Sequence, residues 1–220
     1  MIKYVIFDMD GTLFDTEPYF ERSWSETGER WGLKGMREMY YSQAAGRSID
    51  IVKAYLKKCY GDDFDSEGYF SDRWMQFSKL VSNGVEEKPG CLELLGFLKE
   101  QGIKAAIATS TPRDLAELYL FKSDIPQYLD AVVFGNEVKR GKPHPDVFIE
   151  AGKRIDANPD ETIVVGDSSY DMIGGHAAGM RPVMVIDHNP PSEEAKPLCY
   201  KVLDSLFDVV EIIKKENEIL

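Results

Sequence analysis

The chain has 220 residues, 43% of them hydrophobic and 29% charged, with a formal net charge of −12. That length supports a sizeable core, and the composition is that of a globular protein, not a disordered or fibrous one. The acidic balance argues against nucleic acid as a partner, because binding phosphates along a strand needs a basic surface.

Other classes fall away quickly. Cys59, Cys91 and Cys199 lie far apart without metal-type spacing, which suits a reducing cytoplasm. His144, His176 and His188 are equally scattered, so a zinc cluster has no support. No apolar run approaches the roughly 20 residues of a membrane span. The N-terminus leads straight into strand-like sequence, so a cytoplasmic protein without a signal peptide is expected.

The first predicted element is a buried strand over Ile2–Phe7. Asp8-Met9-Asp10-Gly11-Thr12-Leu13 follows it directly. Two carboxylates one residue apart at a strand end point the same way, and Gly11 then breaks the strand. Two like charges so close resist joint ionisation unless a cation binds. The arrangement suits a carboxylate nucleophile, a neighbouring acid/base and one Mg²⁺ ion. An isolated DxD is more often an acidic turn, so the rest of the chain has to decide.

Residues 16–83 contain no convincing strand. They carry apolar stripes at helical spacing instead: Phe20, Trp24 and Trp31; Ile49, Val52 and Leu56; Phe70, Trp74, Phe77 and Val81. A stretch of that length is too long for a loop. It reads as a small helical domain set into a core formed by residues 1–15 and 84–220. Strands are then expected over Ile103–Ala108, Ala131–Phe134, Thr162–Val165 and Pro182–Ile186. The helical patterns Leu94/Leu95/Leu98, Leu115/Leu118/Tyr119 and Val147/Phe148/Ala151 alternate with them. Such alternation predicts an α/β fold, a parallel Rossmann-like sheet with helices on both faces.

Ligands in open α/β sheets bind beyond the carboxyl ends of the strands, and the suggestive residues fall there. Asp8 and Asp10 end the first strand, and Thr109-Ser110 ends the second, before Thr111-Pro112, a good helix start. Lys142 lies in Gly141-Lys142-Pro143-His144-Pro145 after the third, and Asp167 ends the fourth. If a helix begins after Asp167, Asp171 returns to the same face four residues on. Singly, a Thr-Ser pair is usually a cap, a loop lysine solvated and an acidic pair a helix start. Together, in this order, they are hard to dismiss.

The stretches DMDGTLFDTEP at 8–18, Thr109-Ser110, GKPHPDVF at 141–148 and VGDSSYDM at 165–172 resemble the haloacid dehalogenase superfamily phosphatases. The similarity covers nearly the whole chain. It is nearest to the subfamily with a helical cap inserted after the first motif, which includes phosphoglycolate phosphatase-like and β-phosphoglucomutase-like enzymes.

The resemblance implies Asp8 as nucleophile and Asp10 as general acid and base. It implies Mg²⁺ held by Asp8, the Asp10 backbone carbonyl and Asp167. Lys142 would balance charge on Asp8 and the phosphoryl group, with Thr109 and Ser110 donating to that group's oxygens. Asp171 would reach the metal through water, orient Lys142, or simply start its helix. In the cap, Arg47 of Gly46-Arg47-Ser48 and Glu17 would meet substrate. Their ordinary alternatives are a surface charge and a residue favouring the positive end of a helix. The expected partner is a small-molecule phosphate ester, a sugar phosphate by resemblance, and the protein is expected to be a monomer that engages neither membrane nor nucleic acid.

Mutase members carry a histidine at the position of Phe20, and this chain has none before His144. Water as phosphoryl acceptor, hence a phosphatase, is therefore favoured over a mutase. A receiver domain shares an acidic cluster with Ser/Thr and Lys, but is about half as long and lacks the insertion. A catalytically silent binding protein is the remaining alternative, against which the complete polar set argues.

Overall fold

A computed structural model describes residues 1–45 and 49–219 of the chain. It forms two compact units, Met1–Asp15 with Val85–Leu220, and Thr16–Gly84.

The larger unit is built on six parallel strands in the order β3-β2-β1-β4-β5-β6. They are β1 (Tyr4–Phe7), β2 (Lys104–Ala108), β3 (Ala131–Val133), β4 (Thr162–Gly166), β5 (Arg181–Val185) and β6 (Lys201–Leu203). β1 lies between β2 and β4, with Phe7 beside Ile107 and Val165. Such a central strand is covered on both faces, which is why it reads as an unbroken apolar run. Successive side chains alternate between faces: Ile6, Ala106 and Val164 join one buried cluster, and Val5, Phe7, Ile107 and Val165 are buried as well.

The smaller unit supplies the first helices: α1 (Glu17–Arg30), the single turn α2 (Met36–Met39), α3 (Ile49–Tyr60) and α4 (Ser66–Val81). Pro18 at the head of α1 suits a position whose N–H has no helical partner. Asp65 caps α4 by accepting from the Gly68 N–H at 2.9 Å. Trp24, Met36, Tyr40, Val52, Leu56, Tyr69 and Phe70 form the core of this unit. Phe20 stacks on Phe77 at 4.3 Å between ring centres. The Arg73 guanidinium lies 3.7 Å from the centre of the Trp74 ring, and burial lowers it to about 10.

In the larger unit α5 (Cys91–Glu100), α6 (Arg113–Leu120), α7 (Asp146–Arg154), α8 (Ser169–Ala177) and α9 (Leu206–Asn217) complete the α/β alternation. α7 packs on β1, β2 and β3 and against α8, while α5 packs on β2 and against α9. β6 and α9 are additions to the expected elements. β6 is a three-residue edge strand with Lys201 and Val202 exposed, so it leaves no apolar run to read. α9 closes the fold: the Asn217 side chain accepts from the Ile2 N–H at 2.6 Å and donates to the Ile2 carbonyl at 2.7 Å. Among the described residues no helix is long and apolar enough to cross a membrane.

Candidate active site

Asp8 sits one residue beyond β1, its backbone N–H donating to the Val165 carbonyl of β4 at 2.8 Å. The chain then turns tightly, with Leu13 and Phe14 both donating back to the Met9 carbonyl at 3.0 Å. Gly11 makes that turn possible, at φ +77°. A Cβ there would lie 2.5 Å from Asp167 Oδ2, so the missing side chain is the space Asp167 occupies. Thr12 donates from its hydroxyl to Asp167 Oδ1 at 3.2 Å. Gly11→Ala combines left-handed strain with that clash. It is expected to cost about 1–3 kcal/mol and to weaken Mg²⁺ binding, checked by urea unfolding with and without Mg²⁺.

Lys142 reaches the same place from the loop after β3. Its ammonium lies 2.6 Å from Asp8 Oδ1 and 2.6 Å from Asp171 Oδ1, and 5.0 Å from the centre of the Phe148 ring. The Lys142–Pro143 peptide is cis. Asp171, with no exposed surface, also builds the start of α8. Its Oδ2 accepts from the Ser168 N–H at 3.1 Å and from the Ser168 hydroxyl. Of the three roles left open for Asp171, the contacts of its two oxygens correspond to the helix start and to the approach to Lys142.

Asp8, Asp171 and Lys142 are all buried. Burial pushes the Asp8 carboxyl up to about 7, with Lys142 opposing the shift and Asp171 and Asp10 adding to it. Burial acts to lower the Lys142 ammonium, but Asp171 and Asp8 outweigh it and hold the group above its usual range.

Asp10 is held from the other side. Tyr119 of α6 donates to its Oδ1 at 2.6 Å and the Thr111 hydroxyl to its Oδ2 at 2.6 Å. Thr109 contributes a long contact at 3.4 Å. The Thr109 hydroxyl also accepts from the Thr111 N–H at 3.0 Å. Ser110 is exposed, and a Cβ at Gly135 would come within 2.1 Å of its carbonyl oxygen. The loop after β3 therefore passes directly against this turn.

Asp8, Asp10, Thr109, Lys142, Asp167 and Asp171 thus converge at the carboxyl ends of the central strands, all within the larger unit. Glu17 lies in the first turn of α1 and accepts from the Tyr40 hydroxyl. Arg47 lies outside the described residues. Thr111 and Tyr119 are contributors that sequence reasoning missed. Thr111 reads as a helix start and Tyr119 as part of an apolar stripe, and neither signal tells where a hydroxyl points. α6 in fact begins after Pro112, without a side-chain cap.

The donor set fits a hard divalent cation. Asp8, Asp167 and Asp171 each offer an oxygen, and the three lie within 4.8 Å of one another. Two of them, Asp8 and Asp171, share the Lys142 ammonium, and oxygen ligands of this kind suit Mg²⁺. A proton on Asp8 competes with the metal below about pH 7. The Mg²⁺ concentration for half-saturation should therefore rise as pH falls from about 8 to 6, approaching tenfold per unit at the acid end. Mg²⁺ titration followed by thermal shift at several pH values checks this, and a flat dependence would contradict it.

A parallel α/β sheet with an acidic cluster and a buried lysine at its carboxyl edge suits phosphoryl-transfer chemistry, and comparison with known proteins gives the class. The model of the haloacid dehalogenase-like hydrolase family matches residues 5–185. A phosphorylated carbohydrates phosphatase from Thermotoga maritima is 31% identical, with 100% of each chain covered. The pyrophosphatase PpaX from Bacillus mycoides is also 31% identical, over 98% of this chain and 99% of its own. The crystal structure of a hydrolase from Pseudomonas syringae superposes with a TM-score of 0.79 at 26% identity, covering 97% of this chain and 98% of that one. The chain belongs to the haloacid dehalogenase-like hydrolase family, as an enzyme of its phosphatase kind.

Proposed function

We propose that this chain is a Mg²⁺-dependent phosphatase that hydrolyses a small phosphorylated metabolite, a sugar phosphate, through an aspartyl-phosphate on Asp8. The observation that carries the reading is the buried Asp8 carboxylate held at 2.6 Å by Lys142, two residues before a second carboxylate with its own set of donors.

Lys142 engages Oδ1 of Asp8 and so leaves Oδ2 for attack on phosphorus. The new Oδ2–P bond forms as the P–O bond to the sugar breaks, and Asp10 gives its proton to the departing oxygen. Asp10, now a carboxylate, takes a proton from water. That water's oxygen attacks phosphorus, and the Asp8–P bond breaks to release phosphate. Asp171 keeps Lys142 aimed at Asp8 throughout. Thr109 and the Ser110 N–H are the donors assigned to the phosphoryl oxygens. The groups that would hold Mg²⁺ are the Asp8 and Asp167 carboxylates and the Asp10 backbone carbonyl, and the bound ion supplies charge neutralisation.

Water as acceptor is supported by Phe20, whose ring is committed to Phe77 and has no proton to move. The names of two relatives point to phosphorylated carbohydrates and to pyrophosphate, so both belong in the assay. Purified protein is given Mg²⁺ and β-glucose 1-phosphate with a trace of the 1,6-bisphosphate, following phosphate and glucose 6-phosphate together, with pyrophosphate in parallel. Phosphate from the sugar ester without glucose 6-phosphate is the expected result. Glucose 6-phosphate without phosphate would make the protein a mutase, and phosphate from pyrophosphate alone would move the substrate class.

A further inference from the structure

Tyr119 is one of the largest side chains in the molecule with no exposed surface, yet its hydroxyl does not serve the core. It donates to Asp10 Oδ1 at 2.6 Å. The ring is fixed edge-on to Phe14, 5.1 Å between centres at 89°. Phe14 itself ends the Met9–Phe14 turn that carries Asp10. The opposite carboxylate oxygen accepts from Thr111 at 2.6 Å. Donors on both oxygens, delivered from Thr111 just ahead of α6 and from Tyr119 in its last turn, fix the plane of the Asp10 carboxyl as well as its position.

We infer that Tyr119 is the positioning residue for Asp10, setting the direction in which that carboxyl meets the leaving oxygen. The inference rests on the phosphatase reading above and extends it to a residue outside the groups assigned to substrate and metal. Proton delivery depends steeply on alignment, since a displacement near 1 Å can cost about a hundredfold. Without the phenol Asp10 loses the Tyr119 hydrogen bond on Oδ1, and the carboxyl turns about the contacts that Thr111 and Thr109 make with Oδ2.

The test separates positioning from packing by the leaving group. A sugar alkoxide needs a proton to depart, whereas p-nitrophenolate leaves without one. Tyr119→Phe keeps the ring and removes the hydroxyl. kcat/KM for glucose 1-phosphate should fall at least about fivefold further than kcat/KM for p-nitrophenyl phosphate, given that well-placed acid catalysis contributes about 10²–10⁴-fold. Thr111→Val, which removes the facing donor, should show the same selectivity and serves if the tyrosine variant folds poorly. Equal losses on both esters, or no loss in either variant, overturn the inference while the wild-type activity stands. Wild-type protein that releases phosphate from neither ester and not from pyrophosphate overturns the phosphatase reading and this inference with it.

Discussion

Asp8→Asn should reduce Mg²⁺-dependent phosphate release by about 10⁴-fold or more, the scale seen when a covalent nucleophile is removed. The fold should not suffer. Asn keeps the shape of Asp and removes one of two buried carboxylates sharing the Lys142 ammonium, leaving Lys142 and Asp171 as a neutral pair. The pH dependence gives a second readout on metal-free protein. Burial raises the Asp8 carboxyl to about 7 in the folded chain against an ordinary value of 3.8. Between about pH 4 and 7 the folded chain therefore binds the extra proton, and wild-type stability falls as pH rises through that window. Asp8→Asn should flatten this slope. Denaturant unfolding at several pH values, beside a phosphate-release assay, checks both. Wild-type turnover in the variant would remove Asp8 from the chemistry.

Lys142→Met strips the cation from between two buried carboxylates, and its effect should be large on both stability and rate. Breaking a buried ion pair by removing one partner typically costs about 3–5 kcal/mol, because the stranded charge has no water to turn to. Here two carboxylates are stranded, so the upper part of that range is expected without metal. Activity should fall about a thousandfold, the scale for one electrostatic donor at a developing charge. Lys142→Arg should not restore the rate. The planar fork is wider than an ammonium, which meets both oxygens at 2.6 Å from one atom. The double variant Lys142→Met/Asp171→Asn should recover part of the lost stability and none of the activity. Unfolding curves and single-turnover rates distinguish these outcomes. Full stability in Lys142→Met would mean that the triad is not a charge cluster.

Much of the architecture is legible in the chain because it follows from periodicity. β1, β2 and β4 are buried on both faces, so their apolar runs are unbroken, and α5, α6 and α7 repeat leucine, valine and alanine at helical spacing. β6 escapes that logic because an edge strand with two exposed residues needs no apolar pattern. α9 is held partly by a side-chain amide clamp from Asn217 to Ile2, a long-range contact that no local pattern announces.

The candidate site divides along the same line. Asp8, Asp10, Lys142 and Asp167 can be picked out from the sequence because strand ends in an α/β sheet share one edge, so chain order fixes their neighbourhood. Their pairing is a different matter. That Lys142 bridges Asp8 and Asp171, that Asp171 also caps α8 through Ser168, and that Thr111 and Tyr119 grip Asp10 depend on distances between elements far apart in the chain. The sequence by itself determined which residue types reach the carboxyl edge of the sheet, since the order of elements along the chain and their periodicity are local properties. Only the tertiary structure decided which carboxylate each donor serves and how far burial raises Asp8. Desolvation and hydrogen-bond geometry arise from packing, where a one-residue step moves a hydroxyl from core to site.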